Sequence, residues 1–163
     1  MAAINTLPRC KTVIEYRELN AGDEALINSF FDEMGGESRA MFNRRDYNRR
    51  RALKYCRRSD NTRKYYAAFL GGELLGIVFL LDYNTGIPEL GLALCDGFSG
   101  KGYGASVAQF AIDAARENGA GGVFLTTHVA NVRAQALYEK LGFKLIGTCK
   151  DSTELAYLMK FEK

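Results

Sequence analysis

The stretch Ser99-Gly100-Lys101-Gly102-Tyr103-Gly104 constrains this chain more than any other. It follows a run with strand character, Glu89 to Cys95, and precedes Val107, Phe110, Ala111 and Ala114, which recur at helical spacing. Three glycines at a strand-to-helix junction let the backbone turn tightly and approach a ligand closely. The first turn of the helix that follows has unpaired N–H groups and the positive end of the helix dipole, which together favour phosphate or pyrophosphate. Lys101 adds a charge. The turn is not a Walker loop, because no Gly-Lys-Ser/Thr ends it. Nor is it Gly-x-Gly-x-x-Gly, because Val107 holds the third glycine position. A flexible loop that binds nothing is the plainer alternative, so the rest of the chain must decide.

Thr12 to Arg17 alternates apolar and polar, as a half-buried strand does. Asn20 then caps a helix, with Asp23 three residues on as a weak capping box. Leu26, Ile27, Phe30, Phe31 and Met34 form its stripe, and Gly35-Gly36 is expected to end it in a left-handed turn. Glu37 to Arg58 reads as one further helix, N-capped by Ser38, with a thin stripe of Met41, Phe42, Leu53 and Cys56. Tyr65 to Leu70 and Leu74 to Asp82 read as strands joined at the hairpin signal Gly71-Gly72. Gly102 to Asn118 is a helix stopped by Gly119, Val123 to Thr127 a strand, and Asn131 to Leu141 a helix closed by Gly142. Phe143 to Cys149 and Leu155 to Phe161 are the last strands. The order β-α-α-β-β-β-α-β-α-β-β is that of an α/β fold, a mixed sheet of about seven strands with helices on both faces. A length of 163 residues fits one domain, 1–163.

The chain is 47% hydrophobic and 25% charged, the balance of a soluble globular protein. No apolar run approaches the roughly 20 residues of a membrane span, and Met1 to Cys10 has no basic start followed by an apolar stretch. A cytoplasmic location is therefore expected. Cys10, Cys56, Cys95 and Cys149 lie far apart, and His128 is the only histidine, so no metal-ligand cluster is expected. Free thiols in a reducing compartment are the simpler reading. The net charge of +3 is unevenly spread. Between Arg39 and Lys64 stand eleven Lys or Arg against two acids, Asp46 and Asp60.

The glycine turn resembles the pyrophosphate loop of GNAT acetyltransferases, Gln/Arg-x-x-Gly-x-Gly/Ala, with Gly102 and Gly104 at the two glycine positions. Ser99 stands where that family prefers Gln or Arg. Downstream, Asn131-Val-Arg-Ala134-Gln-Ala-Leu137-Tyr138-Glu-Lys-Leu-Gly142-Phe143 resembles the family's second signature, Asn-x-x-Ala-x-x-Leu-Tyr-x-x-x-Gly-Phe. The resemblance implies acetyl-CoA as co-substrate, no metal, and transfer to an amine. It implies that the strands ending at Leu94 and Thr127 part to admit CoA. Pantetheine would run along Leu92, Ala93 and Leu94, and the pyrophosphate would sit on the amides of Gly100, Lys101, Gly102, Tyr103, Gly104 and Ala105. The Leu94 N–H would face the thioester oxygen, and Asn131 would add a contact to CoA beyond its role as a helix cap.

The resemblance also implies catalytic residues. Tyr138 is the candidate acid for the leaving thiolate; on patterning alone it is a core aromatic beside Leu137 and Leu141. For the base, some relatives place a glutamate where this chain has Thr126. Glu89, in Pro88-Glu89-Leu90, resembles the base of another branch, although a strand-end acid in solvent is the plain alternative. His128 is a second base candidate, set against an exposed loop histidine. Cys95 reads as a buried structural thiol, since no activating base stands near it in sequence.

In this family the segment between the first two strands forms one wall of the acceptor site. Here it carries Arg44, Arg45, Arg49, Arg50, Arg51, Lys54, Arg57 and Arg58. Those charges would repel polycations and favour a small-molecule or peptide amine that is neutral or anionic. A solvated helix face is the bland alternative. Tyr47, Tyr55, Tyr65 and Tyr66 interleave with the cations, which keeps a rival class open: a non-catalytic module that holds CoA or RNA. The modest overall charge gives no strong reason to expect nucleic acid, no feature calls for a membrane, and a homodimer is compatible with the resemblance.

Overall fold

The computed structural model describes residues 13–42, 46–149 and 151–162. Seven strands form one sheet in the order β1-β2-β3-β4-β5-β7-β6. They are β1 (Ile14–Glu18), β2 (Arg63–Leu70), β3 (Glu73–Leu81), β4 (Glu89–Leu94), β5 (Gly122–His128), β6 (Lys144–Cys149) and β7 (Glu154–Lys160). Neighbours are antiparallel except β4 and β5. The helices are α1 (Glu24–Asp32), α2 (Gly36–Phe42), α3 (Tyr47–Arg57), α4 (Tyr103–Glu117) and α5 (Val132–Leu141). This is the mixed α/β sheet expected from the sequence, with one helix more: the expected Glu37–Arg58 helix is two. Asp46, at φ 59, precedes α3 in the left-handed region, so the chain turns there instead of running on.

Strand alternation sends side chains to two cores. Leu90, Val107, Ala111, Ile112, Val123, Leu125 and Tyr138 belong to the core under α4 and α5. Ile27, Phe31, Tyr55, Tyr65, Ile77 and Phe79 belong to the core under α1 and α3. Helices therefore cover both faces. Gly71 and Gly72, both at positive φ, make the tight β2–β3 hairpin that the sequence announced.

Two local readings change. Asn20 and Asp23 do form a full capping box, but it opens a 3-10 turn, Ala21–Asp23, ahead of α1. Asp23 also accepts both guanidinium nitrogens of Arg17, each at 2.8 Å, and this pairing holds its carboxyl below the usual carboxylate range. Neither Gly35 nor Gly36 adopts positive φ. Gly35 instead fits closely against Asp96: a Cβ there would lie 2.8 Å from the carboxylate that accepts the Gly35 N–H at 2.8 Å, and that side chain would have to swing aside. Cys10, Thr12, Arg44 and Arg45 lie outside the described residues.

Candidate active site

The central strands part. β4 pairs with β5 only at Glu89↔Phe124, supported by Phe124 N–H donating to the Pro88 carbonyl at 3.0 Å. The other edge of β4 is fully laddered to β3 as far as Gly76↔Leu94. Backbone direction alternates along a strand. Cys95 N–H donates toward β3, to the Leu75 carbonyl at 2.8 Å, so the amides of Leu92 and Leu94 face β5 across the opening. Those of Ala93 point to β3, and its side chain joins the α1–α3 core. Leu92 and Leu94 thus present an open strand edge.

That edge leads into the glycine turn. A 3-10 turn, Asp96–Phe98, ends β4, and α4 starts after Gly102 at φ 88 with no side-chain cap, which leaves its first N–H groups without an internal partner. Gly104 does a different job from the two turn glycines, Gly100 and Gly102. It lies inside α4, where a Cβ would meet Leu137 Cδ2 at 3.1 Å, so its bareness lets α4 approach α5. Arg133 was missed at the sequence level. Its guanidinium lies about 3.3 Å from where a Gly100 Cβ would sit, adding a second cation to the turn beside Lys101. A basic residue two positions after a capping Asn was the available signal. Asn131 accepts the Ala134 N–H at 3.1 Å and so caps α5.

Tyr138 is buried in the α4–α5 core, edge-on to Phe143 with ring centroids 5.6 Å apart. Its hydroxyl has no hydrogen-bond partner among those found for the described residues, and burial pushes the phenol above its usual range. It stays protonated at neutral pH. Glu89 shares the α1–α3 face with Gly91, Ala93 and Cys95 by alternation, and it is half-buried. Phe79 covers Gly91 so closely that a Cβ there would lie 2.2 Å from its ring. His128 ends β5 and accepts the Ala130 N–H on Nδ1 at 3.0 Å, so one nitrogen is committed to the turn. It is half-buried on a strand end instead of standing in an exposed loop. Thr126, on the same face, is paired opposite Ala156. Cys95 is half-buried, donates to the Leu74 carbonyl, and has its thiol pushed up to about 11 by burial. That is the profile of an inert thiol.

On that face α2 comes close to β5. Asp96 ties α2 to the end of β4 through Gly35 N–H and through Ser38 Oγ at 3.0 Å. Phe42 packs between Phe31 and Phe79. The basic run is divided by the fold. Arg39 donates to the carbonyls of Phe31, Asp32 and Met34. Arg49 pairs with Asp32 and Asp46, Arg57 with Glu24, and Lys64 with Glu18. Among the described residues, no cluster of His, Cys, Asp and Glu could hold a metal, and no helix is long and apolar enough to cross a membrane.

The sheet is opened between its two parallel strands, with an uncapped helix N-terminus at the mouth. The chain belongs to the GNAT acetyltransferase family, whose sequence profile matches residues 25–143. No curated protein matches it in sequence. Among solved structures it is similar to the GNAT domain of S. lividans PAT, with TM-score 0.78 and 18% identity over 91% of this chain and 90% of that one. It is also similar to aminoglycoside acetyltransferase AAC(6')-Ib in complex with coenzyme A and kanamycin, with TM-score 0.75 and 17% identity over 91% and 95%. A third is spermidine N-acetyltransferase from Vibrio cholerae in complex with CoA and spermine, with TM-score 0.72 and 20% identity over 91% and 94%. At such identities the likeness establishes the fold.

Proposed function

We propose that this protein transfers an acetyl group from acetyl-CoA to a primary amine, by direct attack in a ternary complex. The observation that carries this reading is the open β5-facing edge of β4 running into an uncapped helix N-terminus. An extended pantetheine arm suits such an edge, because backbone amides at Leu92 and Leu94 can pair with it as with an added strand. The N–H groups from Gly100 to Ala105, with Lys101 and Arg133 beside them, suit its pyrophosphate. Two of the similar structures hold coenzyme A.

The Leu94 N–H faces the opening and is the donor for the oxyanion that develops at the thioester carbonyl. Glu89, acting through water, takes a proton from the ammonium so that the nitrogen can attack. The N–C bond forms, the C–S bond breaks, Tyr138 protonates the departing thiolate, and the second proton lost by the nitrogen restores the phenol. The products are an amide and CoA thiol. A thiol-release assay with acetyl-CoA and a panel of amines tests this. Turnover is expected on at least one amine. Tight CoA binding with no release on any of them would contradict transfer and leave a CoA-holding module.

A further inference from the structure

The fold leaves part of the basic run without carboxylate partners among the described residues. Arg50, Arg51 and Lys54 from α3 and Arg63 from the start of β2 line one cleft with Tyr47, about 290 Å³ in volume. None of these four cations has a carboxylate within ion-pair distance among the described residues. Asp60, which acts on Arg63 through space, spends its Oδ1 on Thr62 N–H and Oγ1 at 2.7 and 2.6 Å. Four like charges around one space repel each other, and a bound anion relieves that repulsion.

A second observation lies beneath them. Tyr65 is 1% exposed, its hydroxyl has no partner at full hydrogen-bond geometry, and the Arg51 side chain comes nearest to bonding it. It sits next to the charges of Arg51 and Arg63. Buried hydroxyls in folded proteins are seldom left unsatisfied, and Arg51, a wall of the cleft, is the group within reach of this one.

The cleft shares a face with Glu89. Arg63, Leu81 and Glu89 fall in one row across β2, β3 and β4. At about 4.8 Å per strand, the row places the Arg63 backbone about 10 Å from that of Glu89. We propose that this cleft is the specificity subsite of the acceptor and holds a phosphate-type dianion carried by the amine substrate. The role as an acceptor subsite rests on the acetyltransferase reading; the anion site itself does not. Arginine forks match the oxygens of such a group bidentately, and four cations balance a dianion better than a single carboxylate.

The test uses ω-aminoalkyl phosphates of several chain lengths, with the matching amino alcohols and ω-amino carboxylates. Binding is read by calorimetry and transfer by thiol release. The phosphate is expected to bind about tenfold or more tightly than the alcohol, with an affinity that falls as salt rises. The double variant Arg51→Gln/Arg63→Gln should erase that margin, and Arg57→Gln, paired with Glu24 outside the cleft, should keep it. Lys54→Gln, at an exposed position, should narrow the margin even if the double variant fails to fold. Equal binding of phosphate and alcohol, or a margin that survives in folded cleft variants, overturns the proposal. A carboxylate that binds as tightly as the phosphate overturns the dianion. Phosphate held by the cleft with no thiol release from any amine leaves the anion site standing and overturns the acetyltransferase reading. Turnover without any phosphate preference does the reverse.

Discussion

Tyr138 combines a core position with a hydroxyl that has no partner found among the described residues, which separates two kinds of contribution. If the hydroxyl acts on the thiolate, Tyr138→Phe should lower kcat by about 10²-fold, the lower end of general acid catalysis. Affinity for CoA should barely move, because the contact forms in the transition state. Equal kcat in the two proteins, with chemistry rate-limiting, removes Tyr138 from the mechanism. Glu89→Gln should depress the rate and abolish the acid limb of the pH–rate profile; an unchanged limb would point to His128 or to solvent. Tyr65 gives the opposite kind of prediction. Tyr65→Phe removes a buried hydroxyl with no partner at full hydrogen-bond geometry, so stability should hold or rise, by up to about 1 kcal/mol. A lower melting temperature would show that the hydroxyl has a partner in solution. Residue types and spacing drew attention to the glycine turn and the Asn131 cap, and the family resemblance singled out Tyr138. They could not reveal Tyr65, whose buried hydroxyl is a fact of packing.

At the scale of elements, local signals worked where the cause was local. Asn20 and Asp23 form their capping box, and Gly119 and Gly142 end their helices at φ 86 and 106. They failed where the cause was distant. Gly35 looked like a left-handed stop, but it lacks positive φ, and its N–H is held by Asp96, 61 residues away in the chain. Gly104 has a further constraint that the sequence does not show: a Cβ there would be tight against Leu137 on another helix, at 3.1 Å. The break before α3 had a faint signal, since Asn43 and Asp46 favour caps over helix interiors, but the arginines between and after them suit a continuous helix. Asp96→Ala should free Gly35 and Ser38, at a cost of about 1 kcal/mol given their exposure. Amide exchange at Gly35 should then quicken, and KM for the amine should rise more than kcat falls. Unchanged exchange would mean that α2 is held by Phe42 alone. Asp23→Asn loses the Arg17 pair and should destabilise the fold by about 2 kcal/mol. Because the folded carboxyl titrates below its unfolded value, Asp23 stabilises fully above about pH 4 and loses that effect as the pH falls further. The variant and the parent should therefore converge in stability in acid.

The whole molecule follows from strand-and-helix order, and that order was legible in seven strands with helices on both faces. What the order leaves out is how far β4 and β5 part, because strand separation depends on packing across the sheet and not on either strand's own pattern. The functional account rests on that opening. Its most direct test is amide chemical-shift mapping of the labelled protein on addition of CoA. Perturbations should concentrate at Leu92, Leu94 and the amides from Gly100 to Ala105, with smaller ones at the start of α5 near Arg133. No perturbation at millimolar CoA, or shifts confined to other surfaces, would contradict the account.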